Sequence, residues 1–426
     1  MKEVLGNNSS AHDYVLKDAS DGGKLLVKYN GNNGNVTIPD ELDIRVIGNE
    51  AFKKNSNISE INSNNVKKIG HEAFKNCTNL ISVDVPKLET IGNKTFWGCK
   101  NLVSVNSPKV KNIGNCAFLG CISLKNMVLP NVKTIGNKVF WYCKDLISVD
   151  FPKVETIGND AFSACINLKN VFFPNVKVIN QRAFEYCASL EDVAFPKVKI
   201  FGEKVFWGCS NLKSVSFPKV KTMGDLAFWY CKNLISVDFP KVENIGKWAF
   251  WGCGSLESVE FPSVETIGND AFSACINLES VFFPNVKTIN QMAFEYCNLE
   301  NVVFPKVKTI GEKVFWGCSN LKSVSFPKVE TIRYKTFIDC KNLTTVFFPS
   351  VKRIEALAFF ECENLLSFLG NPNVTNIGVN AFVKRLNPPG IKVVPLSFDV
   401  DKFLGFKTVN TPDELEYHYE PVKLSN

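Results

Sequence analysis

Cysteine is the residue type with the most chemistry to offer in this chain of 426 residues: there are fifteen, beside only three histidines, His12, His71 and His418. Thiols at this density could form disulfides, ligate a metal or act as nucleophiles, and each use demands its own spacing. Fourteen of them fall on one beat: Cys77, Cys99, Cys121, Cys143, Cys165, Cys187, Cys209, Cys231, Cys253, Cys275, Cys297, Cys318, Cys340 and Cys362. The step is 22 residues, with a single residue lost just after Cys297. Metal ligands usually come in closely spaced pairs, and only Cys116 and Cys121 approach that. Disulfides between every second coil would break the regularity of a repeat, so the ladder reads as buried, reduced thiols acting as small hydrophobes. Cys116 stands outside the ladder, at a position held elsewhere by Glu72, Lys94, Asp160 and Arg182, which predicts an exposed free thiol. None of the histidines falls in a motif with a nucleophile or an acid. No Gly-rich phosphate loop, H-E-x-x-H or nucleophile elbow occurs. The expectation is a protein that is not an enzyme and needs no cofactor or metal.

The elements that carry this cysteine beat are short. The unit Leu80 to Lys100, LISVDVPKLETIGNKTFWGCK, recurs as L-x-x-V-x-F-P-x-V-x-x-I-G-x-x-A-F-x-x-C, with a phenylalanine ladder from Phe52 to Phe382 and a proline ladder from Pro86 to Pro349. A fixed period of this length is the signature of a solenoid. Leu80, Val83 and Val85 alternate with Ser82 and Asp84, which predicts a strand over 82–85 with one face buried. Pro86 then ends the strand, having no backbone N–H to donate. Gly92 and its equivalents, replaced by Asn180 and Asn290, suggest a left-handed backbone position. The stretch from Asn93 to Cys99, with a capping residue first and Phe96 and Cys99 three apart, predicts one helical turn. About sixteen coils at ~4.8 Å per rung would form an arc roughly 75 Å long with a large exposed concave sheet.

The segments IGNKTFWGC with NLVSV, and IGNDAFSACINLKNVFFP, resemble the BspA-like leucine-rich repeats of the treponemal class, and the resemblance covers about Lys24 to Pro389. It implies a right-handed α/β solenoid, with a concave parallel sheet and short helical turns on the convex side. It also implies a protein-binding role in adhesion at a cell surface or in secreted form, with a host extracellular or cell-surface protein as partner. An intracellular interaction scaffold and a polysaccharide-binding surface protein are the alternatives. The resemblance transfers no catalytic motif and no binding residue.

The expected organisation is an N-terminal tail and β-hairpin cap over 1–45, the solenoid over 46–383, and a C-terminal cap and tail over 384–426. Residues 1 to 22 read as loosely ordered, and KLLVKYNGNNGNVTIP from Lys24 as the hairpin. The start of the chain holds no apolar core suited to a signal peptide, and nothing approaches the roughly 18 uninterrupted apolar residues of a membrane span. No membrane insertion is expected, and a cytoplasmic location stays open beside the surface one. Lys plus Arg exceed Asp plus Glu by 49 to 42, a net charge of +7 far from a nucleic-acid footprint. Residues Pro152 to Val220 recur almost verbatim as Pro262 to Val329, a sign of block duplication.

Candidate contact residues lie where the strand alternation points outward. That column runs Asp84, Asn106, Val128, Asp150, Phe172, Ala194, Ser216, Asp238, Glu260, Phe282, Val303, Ser325, Phe347 and Leu369. Phe172, Phe282 and Phe347 are the candidates for binding, with Asp150, Asp238 and Glu260 beside them, because exposed rings cost free energy until a partner covers them. The competing reading is that such side chains stack and shield one another along the sheet. A tryptophan stripe (Trp97, Trp141, Trp207, Trp229, Trp251, Trp316) either binds a partner or packs over the neighbouring turn. A lysine stripe after the prolines could attract an anionic polymer, although interleaved glutamates suggest an ordinary mixed surface.

Overall fold

The computed structural model describes residues 11–382 apart from 21, 372, 373 and 375; the expected C-terminal cap over 384–426 lies outside the described residues. Each coil carries two strands, such as Ser82–Asp84 and Thr90–Ile91. The first lies inside the expected 82–85 and stops before Pro86. Coils stack in parallel one period apart, Ser82 opposite Ser104, Val83 opposite Val105 and Asp84 opposite Asn106. The result is a parallel β-solenoid. A front ladder runs from Asn35–Thr37 to Ser367–Gly370, and a side ladder of two-residue strands follows each proline turn as far as Asn376–Ile377. The side ladder was not foreseen. Its signal, a β-branched pair such as Thr90 and Ile91 before glycine, spans too few residues to show a period of two.

Hydrogen bonding along the front ladder pauses at several places, among them between Ser280–Phe282 and Asn301–Val303. The lost residue after Cys297 falls between these two strands, yet Leu299 stays fully buried and Thr288 still opposes Thr309 in the side ladder. The deletion is therefore absorbed within one turn.

The core is a stack of identical side chains. From Phe52 onward each ladder phenylalanine lies face to face with the next, as for Phe74 and Phe96 at 5.3 Å between centroids and Phe315 and Phe337 at 5.4 Å with ring planes 1° apart. A second buried column, Phe151 to Phe348, packs beside it. Each buried ring contributes on the order of 1.5–3 kcal/mol of transfer free energy. No coil could bury these rings alone, which ties folding of one repeat to its neighbours.

Three expectations are corrected. The segment from Asn93 to Cys99 is not a helical turn. Its amides alternate between near and far partners: Trp97 and Cys99 donate back to Lys94 and Phe96 in the same coil, whereas Lys94, Phe96 and Gly98 donate to Asn115, Ala117 and Leu119 of the next coil. Such alternation needs left-handed residues at Lys94 (φ 55°) and Gly98 (φ 74°), and these prevent a right-handed helix from propagating. Asn93 likewise caps no helix; its Oδ1 accepts the amide of Asn115, and Asn115 and Asn137 repeat the bond upward.

Gly92 does not have a positive φ; the left-handed positions lie two and six residues further on. Glycine is needed there because a Cβ on Gly92 would stand 2.6 Å from the carbonyl carbon of Gly70 in the coil below. Asn180 and Asn290 fit because each side chain donates to the lower coil, to Ile157 and Ile267.

The hairpin lies one strand earlier than expected. Tyr14–Asp18 pairs antiparallel with Lys24–Tyr29, so part of the supposed loose tail is ordered. Lys24–Tyr29 opens the side ladder and Asn35–Thr37 the front ladder, making 24–37 a first coil. Among the described residues every pairing between regular coils is parallel.

Candidate functional site

The chemistry of the cysteines is used structurally. All fourteen ladder thiols are buried and free, and each donates a hydrogen bond to the phenylalanine carbonyl of the coil below, as in Cys99 to Phe74 at 3.0 Å, Cys209 to Phe184 at 3.1 Å and Cys362 to Phe337 at 3.0 Å. The same carbonyl accepts the amide of the cysteine in its own coil, Cys77 to Phe74 at 3.0 Å. One acceptor thus serves two donors, and cysteine is more than a small hydrophobe here. Burial drives the thiols from Cys77 to Cys340 well up from their ordinary range; Cys77 and Cys275 reach about 12. Thiolate chemistry at neutral pH is closed to them. Cys116 is half-buried, with φ 59°, so the sequence overstated its exposure. Burial raises its pKa too, and Lys138 and Lys94 oppose that rise.

On the open side of the front ladder the candidate residues fall into groups. Asp150 and Phe172 sit opposite each other on adjacent strands, Ser148–Asp150 and Asn170–Phe172. Glu260 and Phe282 repeat the arrangement in the duplicated block, with Asp238 one coil earlier. Phe347 is separate, between Ser325 and Leu369. Phe172 is 56% exposed, whereas Phe282 and Phe347 are half-buried. Along its column Phe172 has Asp150 on one side and the methyl of Ala194 on the other, and no ring partner among the described residues.

A shallow trough of about 450 Å³ opens at this place, lined by Val128, Asp150, Lys169, Phe172 and Asp192 among others. Val128 is 59% exposed, so the trough has two apolar walls and a carboxylate, an ammonium and a second carboxylate around them. The ladder pauses between Asn170–Phe172 and Asp192–Ala194, immediately beside the ring. Sequence reasoning did not single out Val128, Lys169 and Asp192 as a group. They belong to separate columns, and only the coil register sets them around Phe172.

The tryptophan stripe is half-buried throughout. Most of its rings lie under a lysine three residues earlier, Lys138 over Trp141 at 4.5 Å and Lys204 over Trp207 at 4.8 Å. Where Leu226 and Trp248 replace that lysine, Trp229 and Trp251 stack on each other instead, 5.1 Å apart. Packing over neighbouring turns accounts for the stripe. The most enclosed carboxylate, Glu72, is a structural group: Lys53 and Lys75 meet it at 2.7 and 2.8 Å and hold its pKa at about 2.

Stacked parallel coils with a 22-residue leucine-anchored unit define a leucine-rich repeat protein. The BspA type leucine rich repeat region, in six copies, matches residues 28–147, 89–213, 133–253, 199–321 and 287–388. The chain belongs to this family. Among solved structures it is similar to a leucine-rich repeat protein from Bacteroides ovatus, at 29% identity and a TM-score of 0.58, covering 75% of this chain and 95% of that one. It is also similar to a leucine rich cell surface protein from Faecalibacterium prausnitzii (22% identity, TM-score 0.46, covering 80% and 94%). A third is a leucine rich repeat protein of T. pallidum (22%, TM-score 0.25, covering 63% and 90%). None of the curated proteins matches the chain. Among the described residues no helix is long and apolar enough to cross a membrane.

Proposed function

We propose that this protein is a non-enzymatic binding scaffold whose front ladder takes up a protein partner, with the trough around Phe172 as the principal contact and the Glu260 and Phe282 pair as a second. The observation that carries this reading is the exposed ring of Phe172, standing in a trough between Asp150 and Asp192 on the open side of the front ladder. Apolar surface left in water costs about 25 cal/mol per Å², which a partner recovers by covering it. Flanking charges set orientation and reject wrong partners. The family resemblance supports a place at the cell surface, where the partner is a host or neighbouring-cell protein. The alternative of an intracellular scaffold draws on the free thiols, and surface labelling of intact cells separates the two.

The test replaces Phe172, Phe282 and Phe347 together by serine and measures binding to a panel of extracellular and cell-surface proteins. Binding should be lost while thermal unfolding shifts little, because the Leu, Val, Ile, Phe and Cys core is untouched. A variant that binds as well as the parent but unfolds much earlier would assign the rings to sheet stability instead.

A further inference from the structure

Along the flank formed by the residues after each proline, charge is neutralised coil by coil. Lys111 pairs with Glu89, Lys287 with Glu265 and Lys352 with Glu330, all at 2.6–2.8 Å. In the column alongside, Lys153 and Lys306 donate to Asn131 and Asn285 of the coil below. The interleaving is weakest at one place. Over four consecutive coils the flank presents Lys177, Lys197, Lys199, Lys219, Lys221 and Lys241, all exposed. Glu155 pairs with Lys177 and Glu243 with Lys221, closing the two ends. Among the described residues, Lys197, Lys199, Lys219 and Lys241 have no carboxylate within ion-pair distance; Lys197 donates to Asn175, and its field reaches the already paired Glu155. The coils are in register here, with the amide of Lys199 donating to the Lys177 carbonyl, so these ammonium groups belong to adjacent rungs ~4.8 Å apart.

We infer that this flank is a binding site for a linear sulfated polysaccharide, separate from the trough on the front ladder. Four uncompensated cations within roughly 10 Å form a ridge that a polymer with closely spaced fixed anions can follow. Nucleic acid fits less well. Single strands are held by aromatic platforms interleaved with the charge, and duplexes by an element that enters a groove. Between these lysines stand Ile200, Thr222 and Asn244, on short side-ladder strands. The duplicated block provides an internal comparison: Lys306, Lys308 and Lys328 persist there, but just past its end Glu330 stands at the position of Lys221. That copy is the weaker ridge.

The experiment uses the full chain on immobilised heparin, with elution by salt and affinity at about 0.15 M salt. K197Q, K199Q, K219Q and K241Q combined should lower the eluting salt concentration and weaken binding at least about tenfold, since each lost contact removes part of the salt-dependent term. A charge-matched control with K28Q, K68Q, K100Q and K125Q should keep most of the parent affinity. Equal losses in the two variants would overturn the site, as would a parent chain that does not bind heparin. Competition assigns the class: heparin should displace bound heparin at far lower concentration than oligothymidylate or polyglutamate of equal charge. If either displaces it as well as heparin does, the polysaccharide assignment falls. The replaced lysines are exposed and make no ion pair among the described residues, so unchanged melting of both variants confirms that only binding is being read.

Discussion

Substituting Gly268 separates two reasons for a repeated glycine. A Cβ there would lie 2.6 Å from the carbonyl carbon of Gly246 and 2.7 Å from its oxygen, against an ordinary contact near 3.4 Å. The upper coil must therefore rise locally, and the bond from the Gly268 amide to Ile245, 2.9 Å now, must lengthen. Overpacking of this kind costs about 1–3 kcal/mol, and a weakened backbone hydrogen bond adds up to ~1 kcal/mol. Gly268→Ala should lose roughly 2–4 kcal/mol on these terms. Gly268→Asn, although larger, should lose about 1 kcal/mol less, because its side chain can donate to Ile245 as Asn290 does to Ile267 at 2.8 Å. Gly120→Ala is the contrast. Gly120 has φ 71° with no atom within 4 Å of the added carbon, and Tyr142 and Ala164 occupy the same position in other coils at φ 64° and 59°. Left-handed strain of ~1–2 kcal/mol is offset there by ~0.4–1 kcal/mol of lost unfolded-state freedom. Urea unfolding of the three variants gives the order, and hydrogen exchange at the amides of Gly268 and Asn290 locates the loosening. If Gly268→Ala is no worse than Gly120→Ala, or Gly268→Asn is worse than Gly268→Ala, close backbone stacking is not the reason for this glycine.

Cys116 should react with a thiol reagent in the folded protein, faster as pH rises through and beyond the usual thiol range because burial holds its pKa up, while the ladder cysteines react only on unfolding. Mass-spectrometric counting of labelled sites decides this, and several fast sites would contradict the buried ladder. Two carboxylates set opposite pH trends. The lysines around Glu72 hold its pKa at about 2, so its stabilisation is complete above pH ~4.5 and is lost as pH falls toward 2; Glu72→Gln should remove that part of the acid transition. Burial, and then Glu295, raise Asp270 to about 6, so protonation favours the folded state and stability gains as pH falls from above 6 toward ~4. Met292→Arg, copying Arg182 of the first block, should lower that pKa, as read by carboxyl chemical shifts; no movement would mean the arginine does not face Asp270.

The parallel stack was legible because type and spacing coincide at every coil: Leu80, Val83 and Val85 fix which face of the strand is buried, and Phe96 and Cys99 recur 22 residues on. What failed was local conformation. Phe96 and Cys99 stand three apart as on a helix, and the same spacing arises when amides alternate between two coils. Only the φ values at Lys94 and Gly98 distinguish the cases, and lysine is no sign of a left-handed residue. Gly92 misled for a related reason: absence of a side chain can answer a need for positive φ or a lack of room, and a single chain read as sequence cannot say which. Tyr14–Asp18 was hidden among polar neighbours, since a lone strand of five residues shows little alternation. Of the candidate site, the outward direction of Phe172 followed from strand alternation, but its greater exposure than Phe282 depends on what stacks beside each ring.

The way the coils bond to one another explains why such a scaffold can change its binding surface freely. Amides of the turn segment donate to the next coil, thiols donate to the coil below, and asparagines such as Asn93 accept from the coil above, so the stack is held by backbone and inward or edge positions. Where the outward column is exposed it contributes little to that framework, and substitutions there fall in the range of about ±0.5 kcal/mol typical of open surface; Ser325 and Leu369 are buried exceptions. The duplicated blocks bear this out in their differences. The stretch ETIGNDAFSACIN is identical in both copies, whereas Asp150, Lys169 and Asp192 around Phe172 correspond to Glu260, Glu279 and Asn301 around Phe282. The ring has been kept while its charged surround has passed from mixed sign to acidic. A copied contact with an altered electrostatic rim alters partner preference before it alters affinity. If both rings are contacts, as proposed, the two sites would grip alike and select differently.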